Sequence, residues 1–354
     1  MMNTNHRLAG LLLGITILTL FPGPTRAEGF EQSQWIAPPG ELTPSAACPV
    51  FRKEFSLQEK PRHATLRVVG LGDYDGYVNG RRLTATGINQ PWSQYETTLY
   101  YRDFEVTDAL VAGRNCVGVM LFNSFWHNPN PPPGRYNKGG PQREVATPFL
   151  LRVEIQVTQR DGTILRVGTD ASWEVTAGPF TFSHIFGGED FDARRRMPGW
   201  DRAGFDSRAW QPAREVSPPP GRLTAMFWPG FAPFERQRPV SVKQPTNGVY
   251  LYSFPQNMAA QLRVELAGGR AGDRIHFRCG EHKNAQDRLF GGYVVGCELV
   301  TDGRPLTHQW GSFYLGMQFV EVTGAVPADQ PNPERLPVIR RLTLVNVRNA
   351  LPET

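Results

Sequence analysis

Leu151, Val153, Ile155 and Val157 place an apolar side chain at every second position, and this spacing narrows the choice of fold more than any other feature. Period two puts all four on one face of an extended strand. Asp161-Gly162 then turns the chain into a second apolar run, Ile164, Leu165 and Val167. The same texture recurs at 64–69 and 116–122. Asn79-Gly80 supplies the strongest short hairpin signal, because both residues accept positive φ. Nothing between 28 and 354 sustains a helical period over three turns. One short turn at 108–111, capped by Thr107, is the most helix expected. The 36 glycines and 31 prolines among 354 residues are too many loop formers for a helical bundle. Hydrophobic residues at 40% against 20% charged exclude a disordered chain.

The formal charge of +5 includes a leader. Arg7 opens it, an apolar run follows from Leu8 to Phe21, and Pro22-Gly23-Pro24 breaks that run before Ala27. This reads as a secretory signal peptide over 1–27, too short to span a bilayer comfortably. Its removal takes out Arg7 and Arg26 and lowers the charge to +3. The expected location is secreted or periplasmic, with no membrane attachment after cleavage. No dense Lys/Arg block suggests nucleic acid. Export permits disulfides among Cys48, Cys116, Cys279 and Cys297. Cys279 and Cys297 lie in strand-like text around a glycine-rich loop, so they are the first pair expected, with four free buried thiols as the alternative. Cys279-Gly280-Glu281-His282 lacks a second ligand pair at metal spacing and is not read as a zinc site.

The prolines of 216–222 mark a linker. Short strands with frequent turns on either side predict an all-β chain of two antiparallel, jelly-roll-like β-sandwiches. These cover 28–215 and 223–348, with a tail at 349–354. A proline- and glycine-rich insertion from 128 to 141 is expected on the surface.

Three clusters carry chemistry. Glu189, Asp190 and Asp192 form an acidic run beside Gly187-Gly188. Such a run can act as a carboxylate pair for glycoside hydrolysis, chelate a hard cation, or remain a solvated loop, and the third is the commonest outcome. Asn123, Trp126, Arg135 and Tyr136 combine rings with hydrogen-bonding groups around the proline-rich loop, as a sugar site requires. Trp92 and Tyr95 form a second such group. For Trp92, packing beneath a loop is the favoured reading; for Trp126 neither outcome is favoured. There is no Gly-x-Ser-x-Gly elbow, no His-Glu-x-x-His helix and no phosphate loop.

An ordered set of motifs brings these pieces together. Gln34-Trp35-Ile36 and Phe51-Arg52-Lys53-Glu54-Phe55 come first. Leu71-Gly72-Asp73-Tyr74-Asp75-Gly76-Tyr77-Val78-Asn79-Gly80 and Pro91-Trp92-Ser93-Gln94-Tyr95 follow. Then come Tyr101-Arg102-Asp103-Phe104-Glu105, Phe186-Gly187-Gly188-Glu189-Asp190-Phe191-Asp192 and Phe313-Tyr314-Leu315-Gly316-Met317. In this order they resemble the N-terminal, non-catalytic β-sandwich region of bacterial α-L-rhamnosidases. The resemblance implies sandwiches ahead of an (α/α)₆ barrel that holds the acidic catalytic pair. It leaves open that the strand near 50–58 packs in the second sandwich. No segment here matches the barrel, so no catalytic residue is carried over. The expectation is an accessory, carbohydrate-recognising region of a glycoside hydrolase, inactive alone. Its ligand would be a plant or microbial glycan containing rhamnose, and its partner a separately encoded catalytic domain. The alternatives are a stand-alone carbohydrate-binding protein, or a complete glycosidase built on the Glu189/Asp190/Asp192 loop. Some members of the family carry a calcium-dependent rhamnose-binding module. Its ligands have no residue-by-residue match, so calcium stays open and no other cofactor is implied.

Overall fold

The computed structural model describes residues 29–40, 47–126, 135, 149–291 and 294–351. The leader, Tyr136 and most of the proline-rich insertion lie outside them. The helical elements described in full are two 3₁₀ turns, Thr107–Ala109 and Ala193–Arg195. Thr107 does not cap the first turn from its side chain. Its hydroxyl instead accepts from the Ala64 backbone N–H at 2.7 Å, pinning the turn to a strand. No described helix is long and apolar enough to cross a membrane.

The first sandwich has two sheets. One runs Arg214–Val216, Trp35–Ala37, Leu150–Thr158, His63–Leu71, Thr98–Glu105 and Arg222–Ala225, with Ile164–Gly168 paired to Leu150–Thr158. The other runs Gln211–Pro212, Glu174–Ala177, Pro49–Leu57, Gly113–Phe122, Asp73–Val78 and Arg81–Arg82. Their facing side chains make one core. Leu151, Val153, Ile155 and Val157 meet Phe51, Tyr74, Val117 and Val119 there, all essentially without solvent contact. At about 1.5–3 kcal/mol for each large apolar side chain removed from water, this alternation is what holds the layers together. Asn79 (φ 50°) and Gly80 (φ 82°) both adopt positive φ between Val78 and Arg81, which are register partners. That is the two-residue hairpin their sequence predicts.

The second sandwich is one curled sheet of eleven strands. Its axis is the 19-residue strand Val249–Ala267, whose pairing with Leu315–Thr323 shifts register between Ser253 and Met258. Residues before the shift pair with Ser241–Thr246 and Leu315–Thr323; after it, Met258–Ala260 still pair with Leu315–Thr323, and later ones pair with Leu306–Gln309 and Val338–Asn349. The bulge turns one strand across both layers of the fold. Tyr250, Phe254, Leu262, Phe277, Trp310 and Leu344 fill the space between them.

The path of the chain differs from the sequence reading in two places and resolves one point it left open. Phe180–His184 and Gly188–Asp192 join the second sandwich, where Gly188–Asp192 pairs in parallel with Val295–Asp302. The chain then returns to the first sandwich for Gln211–Pro212, Arg214–Val216 and Arg222–Ala225. Arg222–Ala225 lies parallel to Thr98–Glu105, so the proline linker bends within the first sandwich rather than joining two. Pro49–Leu57 belongs to the first sandwich, held between Gly113–Phe122 and Glu174–Ala177.

The expected Cys279–Cys297 bridge is not formed; all four cysteines are free and buried. Cys279 stands opposite Val295 and Cys297 opposite Phe277. The two are therefore diagonal neighbours, typically about 7–8 Å apart between Cα atoms. A bridge needs roughly 4.4–6.8 Å. Burial raises the Cys279 thiol to about 12 and pushes Cys297 well upward, so both stay protonated.

Candidate glycan-binding face

The strand Gly113–Phe122 ends against a tight turn of the neighbouring chain. Gly72 sits there at φ 72°, where an added Cβ would lie 1.8 Å from the Phe122 carbonyl oxygen. Only glycine permits that approach. The next residue, Asn123, is fully buried. Its side-chain amide donates to the Ser183 carbonyl at 2.6 Å, and its backbone N–H donates to Ser183 Oγ at 2.9 Å. Asn123 thus ties the first sandwich to the second and offers nothing to a ligand at the surface.

Ser124 then takes a positive φ of 48°. The two rings that follow it point in different directions. Trp126 turns inward and meets Tyr95 edge-on, centroids 5.1 Å apart, in a pocket with Leu71, Leu99 and Leu150. Trp126 and Tyr95 are each only 5% exposed. Phe125 faces Trp92, with centroids at 5.2 Å and planes 9° apart. Trp92 is 68% exposed. Trp92, expected under a loop, is the open ring; Trp126, for which neither outcome was favoured, and Tyr95, a candidate for the same sugar contact, are core. Phe125 is the supporting residue that the sequence reading passed over. Behind it, Phe186 packs edge-on at 6.0 Å, followed by His184 and Phe182. His184 Nδ1 accepts from the backbone N–H groups of Phe186 and Gly187, and burial lowers its pKa to about 4. The imidazole is neutral at pH 7 and acts as a packing element.

Arg135 reaches Asp190 at 2.7 Å and lies over the Phe182 ring at 5.5 Å. Both charged side chains are largely buried, so the pair closes the domain seam rather than opening toward solvent. Tyr136 is outside the described residues.

The acidic run does not converge. Alternation along Gly188–Asp192 sends Glu189 and Asp190 to opposite faces. Glu189 has no solvent exposure and accepts from the backbone N–H of Ser312 at 2.9 Å and from its hydroxyl. Burial raises its pKa to about 7 despite those two donors. Asp190 accepts from Arg135 and from the Glu298 N–H. Asp192 binds the Arg194 guanidinium and backbone N–H, which hold its carboxyl below the usual range. Each carboxylate has its own partners, so the three neither chelate one ion nor flank one bond. No group of three metal-ligating side chains occurs among the described residues.

Comparison with known proteins agrees with this architecture. Residues 59–232 match the family model for the alpha-L-rhamnosidase N-terminal domain. An alpha-L-rhamnosidase of Streptomyces avermitilis is 28% identical over 319 residues, covering 84% of this chain and 30% of the relative. One of Formosa agariphila is 26% identical over 227 residues, covering 62% and 23%. The chain thus spans less than a third of the length of these curated relatives. Among solved structures, the native Aspergillus terreus rhamnosidase superposes with a TM-score of 0.78 at 26% identity, covering 92% of this chain and 37% of that one. The Dictyoglumus thermophilum enzyme gives 0.77 at 24%, covering 91% and 36%. The chain is thus similar over most of its length to the N-terminal, β-sandwich region of alpha-L-rhamnosidases, and residues 59–232 match the model of that family's N-terminal domain.

Proposed function

We propose that this chain is the accessory, carbohydrate-recognising region of an alpha-L-rhamnosidase, exported by its leader to the periplasm or beyond. It holds a rhamnose-containing glycan while hydrolysis is done by a catalytic barrel elsewhere. The observation that carries the reading is the Trp92 ring, 68% exposed and backed in parallel by Phe125. A ring fixed from behind presents its open face to the C–H patch of a sugar with little ordering cost. The alternative of a complete glycosidase on the acidic loop has less support. Glu189 has a pKa suited to a general acid, yet it is sealed from solvent and its neighbour Asp190 points the other way.

Calorimetry of the chain with rhamnose and neutral rhamnose-containing oligosaccharides tests the proposal. Heat of binding that is lost in Trp92→Ala and unaffected by calcium is the expected result. No heat with any neutral ligand, or unchanged binding in Trp92→Ala, refutes the site. Turnover of an aryl rhamnoside that Glu189→Gln abolishes would refute the whole reading.

A further inference from the structure

On the second sandwich lies a cleft of about 370 Å³ that none of the features above uses. This volume falls at the lower end of the range occupied by small-molecule sites. Val242 and its register partner Tyr252 form one side; Ile339 and Leu342, from the strand Val338–Asn349, form the other. Three arginines line it: Arg238, Arg340 and Arg341.

The backbone explains why two of these are adjacent. Glu265 pairs with Arg341 and Leu266 with Ile339, so Arg340 is the extra residue of a β-bulge. A bulge breaks the in-out alternation. Arg340 and Arg341 therefore both face solvent between the buried Ile339 and Leu342. Arg341 is matched by Glu265 at 3.1 Å. Arg238 and Arg340 have no carboxylate partner among the described residues; the one acid in the cleft lining, Asp329, is exposed, and its charge is felt at the Tyr252 hydroxyl. The Tyr252 hydroxyl in the cleft wall is buried and lacks a hydrogen-bond partner among the described residues. Buried hydroxyls are normally satisfied, so an unsatisfied one beside two unmatched guanidinium groups calls for an acceptor.

We propose that this cleft is a subsite for an acidic saccharide, whose carboxylate or sulfate ester is held by Arg238 and Arg340 and whose oxygen accepts from Tyr252. The site is independent of the Trp92 platform. It would let one chain grip a charged glycan at two points, which raises avidity without new contacts.

The test is calorimetry on the full chain with three probes: a galacturonate disaccharide, a sulfated monosaccharide and neutral rhamnose. At low salt at least one acidic probe should bind, and about 0.5 M NaCl should weaken it severalfold. The probe that binds identifies the anion. Arg238→Gln/Arg340→Gln should weaken the acidic probe about tenfold or more. Tyr252→Phe should weaken it severalfold, and Trp92→Ala should leave it unchanged. Thermal melts of each variant confirm that it is folded. Acidic probes that bind no better than neutral rhamnose overturn the proposal. So does tight acidic binding that survives the double arginine change. Loss of neutral binding alone in Trp92→Ala speaks to the platform and not to this cleft.

Discussion

The Trp92–Phe125 pair and the Tyr95–Trp126 pair come from the same two segments, yet one stacks at the surface and the other is sealed in the core. Composition is nearly identical. The difference lies in the backbone between them: Phe125 and Trp126 are successive residues that take different sides of the chain just after the positive φ of Ser124. Glu189 and Asp190 repeat the lesson with charge. They are adjacent in sequence, but a strand alternates, so one serves Ser312 and the other serves Arg135. In both cases the role of a residue is set by the side of the backbone it occupies rather than by its type.

The largest effect that can break this contrast is Trp126→Ala. Truncating a buried Trp typically costs about 3–5 kcal/mol. A denaturant titration showing a loss below about 1 kcal/mol would mean that Trp126 is not core. Glu189→Gln comes next. The folded chain holds the Glu189 proton up to about pH 7, against about 4.5 for an ordinary glutamate. It therefore binds extra protons between those values and loses stability as pH rises through them. His184 and His308 act the other way. Burial lowers them to about 4 and about 3, so stability falls as pH drops below 6.5 toward those values. The glutamine variant removes only the first contribution. Relative to wild type it should gain about 3 kcal/mol between pH 4 and pH 8, measured by melts across that range. A constant difference would place Glu189 in contact with water.

Trp92→Ala sharpens the contrast from the exposed side. Stability should change by less than about 0.5 kcal/mol, as for most surface positions. Neutral glycan affinity should fall about tenfold, or about 1.4 kcal/mol. The smallest effect concerns the thiols. Because Cys279 and Cys297 are diagonal and free, adding reductant should leave the Tm unchanged, whereas a bridge would contribute about 2–4 kcal/mol.

Local pattern revealed the faces of strands well. The positions 151, 153, 155 and 157 all entered the core, and Asn79-Gly80 made its hairpin. Pattern did not reveal which sheet a strand joins. Residues 180–192 read as part of the first sandwich because they precede the linker, but their partners lie far along the chain. Alternation reports a face and says nothing about a distant neighbour. The site was legible only as a set of segments. Trp92, Tyr95 and Trp126 were marked and Phe125 was not, while the choice of open ring depended on which side of the backbone each ring takes. Arg340 and Arg341 carried a weak local sign, two successive charges within an apolar strand, and the bulge supplies its cause.

The excursion of residues 180–192 into the second sandwich bears on how the chain is made. Asp190 meets its partner Glu298 across 108 residues. At a synthesis rate of about 5–20 residues per second, that gap lasts roughly 5–20 s. During it the hairpin can rest Phe180 on Phe122 and Ser183 on Asn123 of the first sandwich, while the edge of Gly188–Asp192 that pairs with Val295–Asp302 has no partner yet. Unpaired apolar strands recruit one another. A holdase that shields this edge should therefore raise the yield of folded protein. Expressing either half alone would make that wait permanent, so the two sandwiches form a single inheritable unit rather than interchangeable modules.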